Sequence, residues 1–356
     1  MTQNKLRTLL VGCGGISPSW LRPAVEMADL EIVGLIDLND DVAKARRDEF
    51  ELTLAFAGAD FEAALRDLKP DVVFDCTIPE AHARTTITAL RHGCHVLGEK
   101  PMAESMANAR KMVEAAREAG RIYAVIQNRR YDPNIRAYRS LIESGELGSL
   151  TTLSSDFYIG AHFGGFRDRM EHVLLLDMAI HTFDAVRLVS GADPVAVYCK
   201  EWNPSGSWYD HDASAVAVFE MTDGIIYTYR GSWCAEGLNT TWESDWRANC
   251  ERGSATWDGA SGFRAQKVAK SGGFFSEWED VEVGDPVFRD LSGAPRNGNP
   301  ETAKLPGHAG LIREFIDCVR TGEAPETVCT DNIKSLAMVF AAIESAESGK
   351  RVEIRV

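Results

Sequence analysis

Over its first ~125 residues this chain keeps a rhythm that restricts its fold more than any other feature. Short apolar runs alternate with helix-length amphipathic stretches. Leu6–Val11, Glu31–Ile36, Asp71–Cys76, His95–Leu97 and Arg121–Ile126 read as buried strands. Helical patterns lie between them, over about 40–50, 60–68, 80–92 and 104–119. Gly93 and Gly120 sit where those helices should stop. Strand–helix alternation with short connections predicts a parallel sheet covered on both faces. Such a sheet binds ligands at the C-terminal ends of its strands.

The pattern then changes. Asp132-Pro133 opens a helix that should run to Ser144-Gly145, and Ser149–Ile159 reads as a long strand. Residues 171–190 form a strong helical pattern closed by Gly191. Strands dominate from 194 to about 285, including Ala213–Glu220 and Ile225–Trp233. Consecutive strands without intervening helices predict a large, mostly antiparallel sheet. Gly284–Pro306 reads as a long loop, followed by helices over about 308–321 and 331–348 and a short strand at Val352–Val356.

The chain has 356 residues, enough for two domains. Its net charge of −15 argues against nucleic acid and anionic membranes as partners, since both need a positive face. No stretch approaches the ~18 apolar residues of a membrane span, and the start lacks the pattern of a signal peptide. The eight cysteines are scattered, with no C-x-x-C pair. That usage fits reduced thiols, so the expected location is cytoplasmic.

The first strand runs into Gly12-Cys13-Gly14-Gly15-Ile16-Ser17. This fits G-x-G-x-x-G except at its last position. Gly12 allows a tight turn, Gly14 lets the backbone approach a pyrophosphate, and the helix N-terminus offers free N–H groups. Ser17 could cap that helix, with Pro18 in its first turn and Pro23 as a kink or a late start. An ordinary glycine turn is the plainer alternative. Asp37 ends the second strand, where a carboxylate accepts hydrogen bonds from an adenosine ribose and repels a 2′-phosphate. NAD is therefore favoured over NADP, and Arg46 and Arg47 look too far along the next helix to reverse that. Capping the helix near Asn39-Asp40 is Asp37's alternative role. Thr77, Ile78, Pro79 and His82 follow the third strand and should cross the cofactor.

Glu99-Lys100-Pro101 ends the strand at 95–97. A lysine there, beside a nicotinamide, suggests chemistry on an alcohol or a carbonyl. Asp177 and His181, spaced i, i+4 with Asp184 beyond, should share one helix face. A carboxylate and an imidazole in an apolar helix must pair or face a cavity. Histidine has the right range to move a hydroxyl proton. A structural Asp–His pair remains open. So does a metal, although His162 and His172 make no convincing third ligand and none is expected. Arg129, in Asn128–Pro133, is favoured over Arg130 as a polar group facing the cleft. Tyr158 and His162 could line a polar pocket. The aromatic residues at 202, 208, 233, 242, 246 and 257 read as packing or interface rather than a sugar platform.

With Gly12–Ser17, Glu99-Lys100-Pro101 and Asp177-x-x-x-His181 in this order, the chain resembles the Gfo/Idh/MocA oxidoreductases over essentially its whole length. Asn128–Pro133, the turn Glu143–Gly148 and the C-terminal helix pair carry the same resemblance. It implies an NAD(P)-binding Rossmann domain, 1–128, and an α/β substrate and oligomerisation domain, 129–356, with a large open, mostly antiparallel sheet. It implies NAD-dependent dehydrogenation of a sugar, polyol or inositol, in a homodimer or homotetramer. The alternatives are a hydrolase or lyase with transient substrate oxidation and a non-catalytic sugar sensor. By resemblance Lys100 and His181 are the catalytic pair and Asp177 holds the substrate, with Lys100-Pro101 expected to be cis. The expected cofactor contacts are Gly12, Gly14, Gly15, Ile16, Asp37, Leu38, Thr77, Ile78, Pro79, His82, Glu99, Lys100 and Gln127. The expected substrate contacts are Arg129, Tyr158, His162, Asp177 and His181. Two departures stand out: Ser17 for the third glycine, and Glu171-His172-Val173 where many members carry glycines.

Overall fold

A computed structural model describes residues 5–288 and 305–356. Most of the loop expected at Gly284–Pro306 lies outside the described residues. The chain forms two compact units. The first comprises 5–128 with 305–333, and the second 129–288 with 334–356. Against the single boundary expected after 128, residues 305–333 group with the first unit.

In the first unit the alternating pattern becomes β1 (Leu6–Val11), α1 (Ser17–Glu26), β2 (Leu30–Ile36), α2 (Asp40–Glu49), β3 (Phe56–Gly58), α3 (Phe61–Leu68), β4 (Val72–Asp75), α4 (Pro79–Arg91), β5 (His95–Gly98), α5 (Met106–Ala119) and β6 (Tyr123–Val125). The six strands are parallel in the order β3-β2-β1-β4-β5-β6. This is the dinucleotide-binding order, with the strand sequence reversing between β1 and β4. The edge strand β3 was not anticipated, because three residues are too few to show a period. Helix punctuation follows local chemistry. Asn39, Asp60 and Ser105 accept main-chain N–H groups at the starts of α2, α3 and α5. Gly120 ends α5 at φ +59°. The helix Gly307–Thr321 returns to this unit, where Arg313 donates to Asp29 at 2.7 and 2.9 Å.

The second unit opens with α6 (Pro133–Glu143), capped by Asp132, and β7 (Leu150–Tyr158). The helix expected over 171–190 is not regular. Leu174–Ala179 winds as a π-helix, and only α7 (Ile180–Ser190) is α-helical, ending at Gly191 with φ +67°. Then come β8 (Pro194–Trp202), β9 (Ser214–Met221), β10 (Ile226–Ser232), β11 (Asp245–Cys250), β12 (Gly253–Trp257), β13 (Phe263–Lys270) and β14 (Glu277–Asp280). Helices α8 (Gly307–Thr321) and α9 (Cys329–Ser348) precede β15 (Val352–Glu353). Nine strands order as β14-β13-β12-β11-β7-β10-β9-β8-β15, antiparallel except for the β7–β10 pair. One sheet face packs on helices through Leu153, Phe157, Phe183, Phe219, Tyr227 and Tyr229. The other carries Tyr198, Val218, Thr228, Ser154, Arg247 and Thr256 in one row across neighbouring strands.

A buried ion pair ties α7 to the rest of this unit. Arg130 donates to both Asp184 oxygens at 2.6 and 2.7 Å, and Ser335 adds a bond at 2.7 Å. Asp184 is thus a structural carboxylate. Asp184→Asn leaves Arg130 uncompensated in the core and should cost about 3–5 kcal/mol in urea unfolding. A loss below about 1 kcal/mol would contradict the pair's importance.

Candidate active site

The ends of β1, β2, β4, β5 and β6 all open on one edge of the parallel sheet, and the residues that follow each strand build the site. Gly12 leaves β1 at φ +91°. A Cβ there would lie 2.5 Å from the carbonyl oxygen of Cys76, so only glycine fits this crossing. Gly14 and Gly15 have nothing within 4 Å of an added Cβ, which leaves their side of the turn open. Helix α1 begins at once and has no acidic residue in its first turn. An open turn feeding a carboxylate-free helix N-terminus suits an anion. Ser17 is not the cap that its position suggested. Its hydroxyl donates back to Gly14 O at 2.8 Å, and Ile16 stands at the cap position with no side-chain bond. Pro23 lies inside a continuous helix.

Asp37 joins two segments. One carboxylate oxygen accepts Cys13 N at 2.9 Å and the other accepts Asn39 N at 3.0 Å. The helix cap belongs to Asn39, which accepts Asp41 N. Arg46 reaches back from α2 to the glycine turn. Its guanidinium donates to Cys13 O at 3.3 and 3.2 Å and to Gly14 O at 3.1 Å. A long side chain about two helical turns past the Asn39 cap spans back to the loop, which spacing along the helix axis does not reveal. Burial, reinforced by the Asp37 charge, pushes the Cys13 thiol up to about 12, so it stays protonated.

Gly12, Gly14, Asp37, Leu38, Thr77 and Ile78 line one cleft of about 720 Å³, a size suited to a nucleoside. Asp60, Phe61, Arg66 and Arg84 line it too, and no sequence signal pointed to them. Leu38 and Ile78 are exposed apolar side chains at its rim. Gly15, Ile16, Pro79, His82, Glu99, Lys100 and Gln127 do not line it. His82 is buried with its ring nitrogens 3.0 Å from Pro101 O and 2.9 Å from Thr77 O, so it links two turns rather than facing a ligand. Gln127 is buried too, and its Nε2 has no hydrogen-bond partner among the described residues. An orphaned donor at a strand end, an open glycine turn and a nucleoside-sized cleft all fit a dinucleotide.

Glu99 is 7% exposed and works inward. Trp20 Nε1 donates to one oxygen at 2.7 Å, and the main-chain N–H of Lys100 donates to the other at 3.0 Å. Burial raises its proton affinity, yet His308 at 3.9 Å, the Trp20 hydrogen bond and the Lys100 charge outweigh it and hold the carboxyl below its ordinary range. Glu99 therefore fixes the backbone that presents Lys100, half-buried, at the end of β5. The Lys100–Pro101 peptide is cis, as expected.

In the second unit Asp177 lies in the π-helical turn and His181 in the first turn of α7. The turn that carries Asp177 winds i→i+5, and the regular α-helix that their spacing assumed begins only at Ile180. Arg167 donates to Asp177 at 2.9 Å, with its guanidinium 4.9 Å from the rings of Phe163 and Phe166. Arg129 donates to Met178 Sδ at 3.4 Å and lies 3.5 Å from Glu243. Burial lowers the Arg129 pKa, while the charges of Glu243 and Asp177 oppose that shift. Arg129 and Arg130 do point apart, Arg130 to Asp184. Tyr158 closes β7, where its main chain pairs with Thr240. His162 is exposed, stacked on Trp208 at 3.6 Å and 2.9 Å from Glu236. Trp233, Trp246 and Trp257 are core residues. Among the described residues no three His, Cys, Asp or Glu side chains group as metal ligands.

Fold and site together define a nicotinamide-dependent oxidoreductase. Residues 6–127 match the family described as oxidoreductase family, NAD-binding Rossmann fold, and residues 135–256 match the GFO/IDH/MocA C-terminal domain. The chain belongs to the Gfo/Idh/MocA oxidoreductase family, and its cofactor is NAD. It is 25% identical to D-apiose dehydrogenase of Paraburkholderia graminis, over 99% of this chain and 91% of that one. It is 30% identical to D-glucoside 3-dehydrogenase of Escherichia coli over 54% and 56% of the two chains. An Agrobacterium radiobacter oxidoreductase solved with NAD+, L-tartaric acid and magnesium shares the fold with a TM-score of 0.82, at 21% identity over 99% of both chains.

The Gly12 crossing makes a direct prediction. Gly12→Ala should raise the dissociation constant for NAD about tenfold or more in calorimetry, through strain at the turn. A value within about twofold of the unsubstituted protein would contradict the cradle.

Proposed function

We propose that this protein is an NAD-dependent dehydrogenase of a sugar, polyol or inositol hydroxyl. One observation carries the reading: Lys100 is presented by a buried, hydrogen-bonded Glu99 at the sheet edge that also holds the glycine turn and Asp37. The relatives named for dehydrogenation of apiose and of a glucoside support the substrate class. When bound, the nicotinamide ring supplies the hydride acceptor.

His181 takes the proton of the reacting hydroxyl. Lys100 donates a hydrogen bond to the oxygen as negative charge develops, a contact strongest in the transition state. Asp177, steadied by Arg167, orients neighbouring hydroxyls, and Arg129, Tyr158 and His162 add polar contacts. Gly12, Gly14, Gly15 and Ile16 hold the pyrophosphate on the α1 N-terminus, and Asp37 accepts from the ribose while repelling a 2′-phosphate. The exposed Tyr198, Trp202, Val218 and Ile226 on the open sheet face support a homodimer or homotetramer. The free cysteines support a reducing, cytoplasmic setting.

Lys100→Ala should lower kcat by about two to four orders of magnitude while leaving the NAD dissociation constant nearly unchanged. Unchanged turnover would overturn its role. A panel of sugars and polyols should give net NADH absorbance with at least one member. Product release without NADH would favour transient oxidation in a hydrolase or lyase. Asp37→Ser should shift the ratio of kcat/KM for NAD over NADP by about tenfold or more toward NADP. An unmoved ratio would remove Asp37 from cofactor choice.

A further inference from the structure

His172 stands immediately before the helix that carries Asp177 and His181, and its carbonyl accepts Leu176 N at 3.0 Å in the first turn. Its backbone has φ +50°, a left-handed conformation that glycine adopts freely and most residues with side chains seldom do. The side chain supplies a reason for a histidine there. Nδ1 lies 2.6 Å from Glu201 Oε2 on β8, and Nε2 lies 3.6 Å from Glu347 near the end of α9. Glu201 is 4% exposed, on the buried face of the large sheet. Its other oxygen is buried without a hydrogen-bond partner among the described residues. A buried carboxylate with so little support depends on the imidazole beside it.

We propose that His172 is a positioning residue: by bridging Glu201 and Glu347 it anchors the first turn of the segment that holds Asp177 and His181. The proposal rests on the catalytic reading above only for its consequence in turnover. The anchor itself joins three elements of one unit: the start of the site helix, strand β8 and helix α9. A π-helical turn forgoes the regular α-helical pattern of hydrogen bonds and benefits from being held at its end.

The charges around the ring set a direction with pH. The Glu201 hydrogen bond raises the His172 pKa above its ordinary 6.5; burial opposes this, and Glu347 and Glu171 reinforce it. Burial raises the Glu201 carboxyl, His172 opposes, and Asp212 and Glu347 add to the rise. A histidine held above its ordinary value contributes fully at pH below 6.5 and loses that contribution as pH rises through its folded-state value. The anchor therefore loosens on the alkaline side, where a buried anion faces a neutral ring.

The test is hydrogen exchange of the full chain without substrate, followed by mass spectrometry. His172→Asn keeps a residue that tolerates positive φ and removes the bridge; Glu201→Gln removes the buried charge and keeps its shape. Both should speed exchange of amides 174–181 by about tenfold, with β1 and α1 unchanged. After correction for intrinsic exchange, protection of 174–181 should fall with rising pH in the unsubstituted protein and stay flat in His172→Asn. Unchanged exchange in both variants, or acceleration spread evenly over the chain, would overturn the anchor. Activity separates the two readings. Faster local exchange with a lower kcat and an unchanged NAD dissociation constant supports both. Faster local exchange with unchanged turnover keeps the anchor and instead removes Asp177 and His181 from catalysis.

Discussion

At Gly12 the chain passes so close to the turn after β4 that no side chain can stand there. An added Cβ would meet Cys76 O at 2.5 Å, Cys76 C at 2.6 Å and Thr77 N at 2.8 Å, all main-chain atoms that cannot swing aside. This approach presses the ends of β1 and β4 together where the strand order reverses, and the cleft opens there. The glycine turn, the start of α1 and the Thr77-Ile78 crossing all take their positions from it. Within this unit, the cleft beside the glycine turn depends on one missing methyl group.

Around that contact the strand ends are braced by carboxylates that bind the protein's own groups. Asp37 accepts Cys13 and Asn39 main-chain N–H groups. Asp75, fully buried, accepts the hydroxyls of Thr77 at 2.6 Å and Thr86 at 2.9 Å. Glu99 accepts Trp20 and the Lys100 N–H. Carboxylates withdrawn from water are costly unless satisfied, and each here is satisfied in part by the turn it positions. Rigid support of this kind fixes the main chain at Lys100, as the transition-state contact proposed for it requires. In the second unit the Arg130–Asp184–Ser335 network and the Arg167–Asp177 pair perform the same service for α7 and the π turn.

Much of this was legible in the sequence because the relevant signals are local. Buried parallel strands are short apolar runs, helices start near Asn39 and Asp132, and the strand-end motifs stand where an α/β sheet puts ligands. What escaped has long-range causes. Strand β3 exists because β2 offers an edge, and its three residues carry no pattern. The π turn at Leu174–Ala179 leaves the hydrophobic pattern looking like one continuous helix. Glu99 and His82 read as ligand contacts because they flank the right strands. Only the fold shows that Trp20 and the Pro101 carbonyl claim them. Arg46 and Glu201 act on partners far away in sequence, and spacing says nothing of such pairs.

The central claim is net dehydrogenation: a hydride leaves a hydroxyl-bearing carbon of a sugar or polyol and stays on the nicotinamide. It is tested most directly with a reactive sugar or polyol deuterated at that carbon, followed by mass spectrometry of the cofactor. The account predicts NADH that carries the deuterium, with turnover slowed by the heavier isotope when hydride transfer limits the rate. Cofactor recovered as unlabelled NAD, with labelled product released and no net reduction, would contradict it.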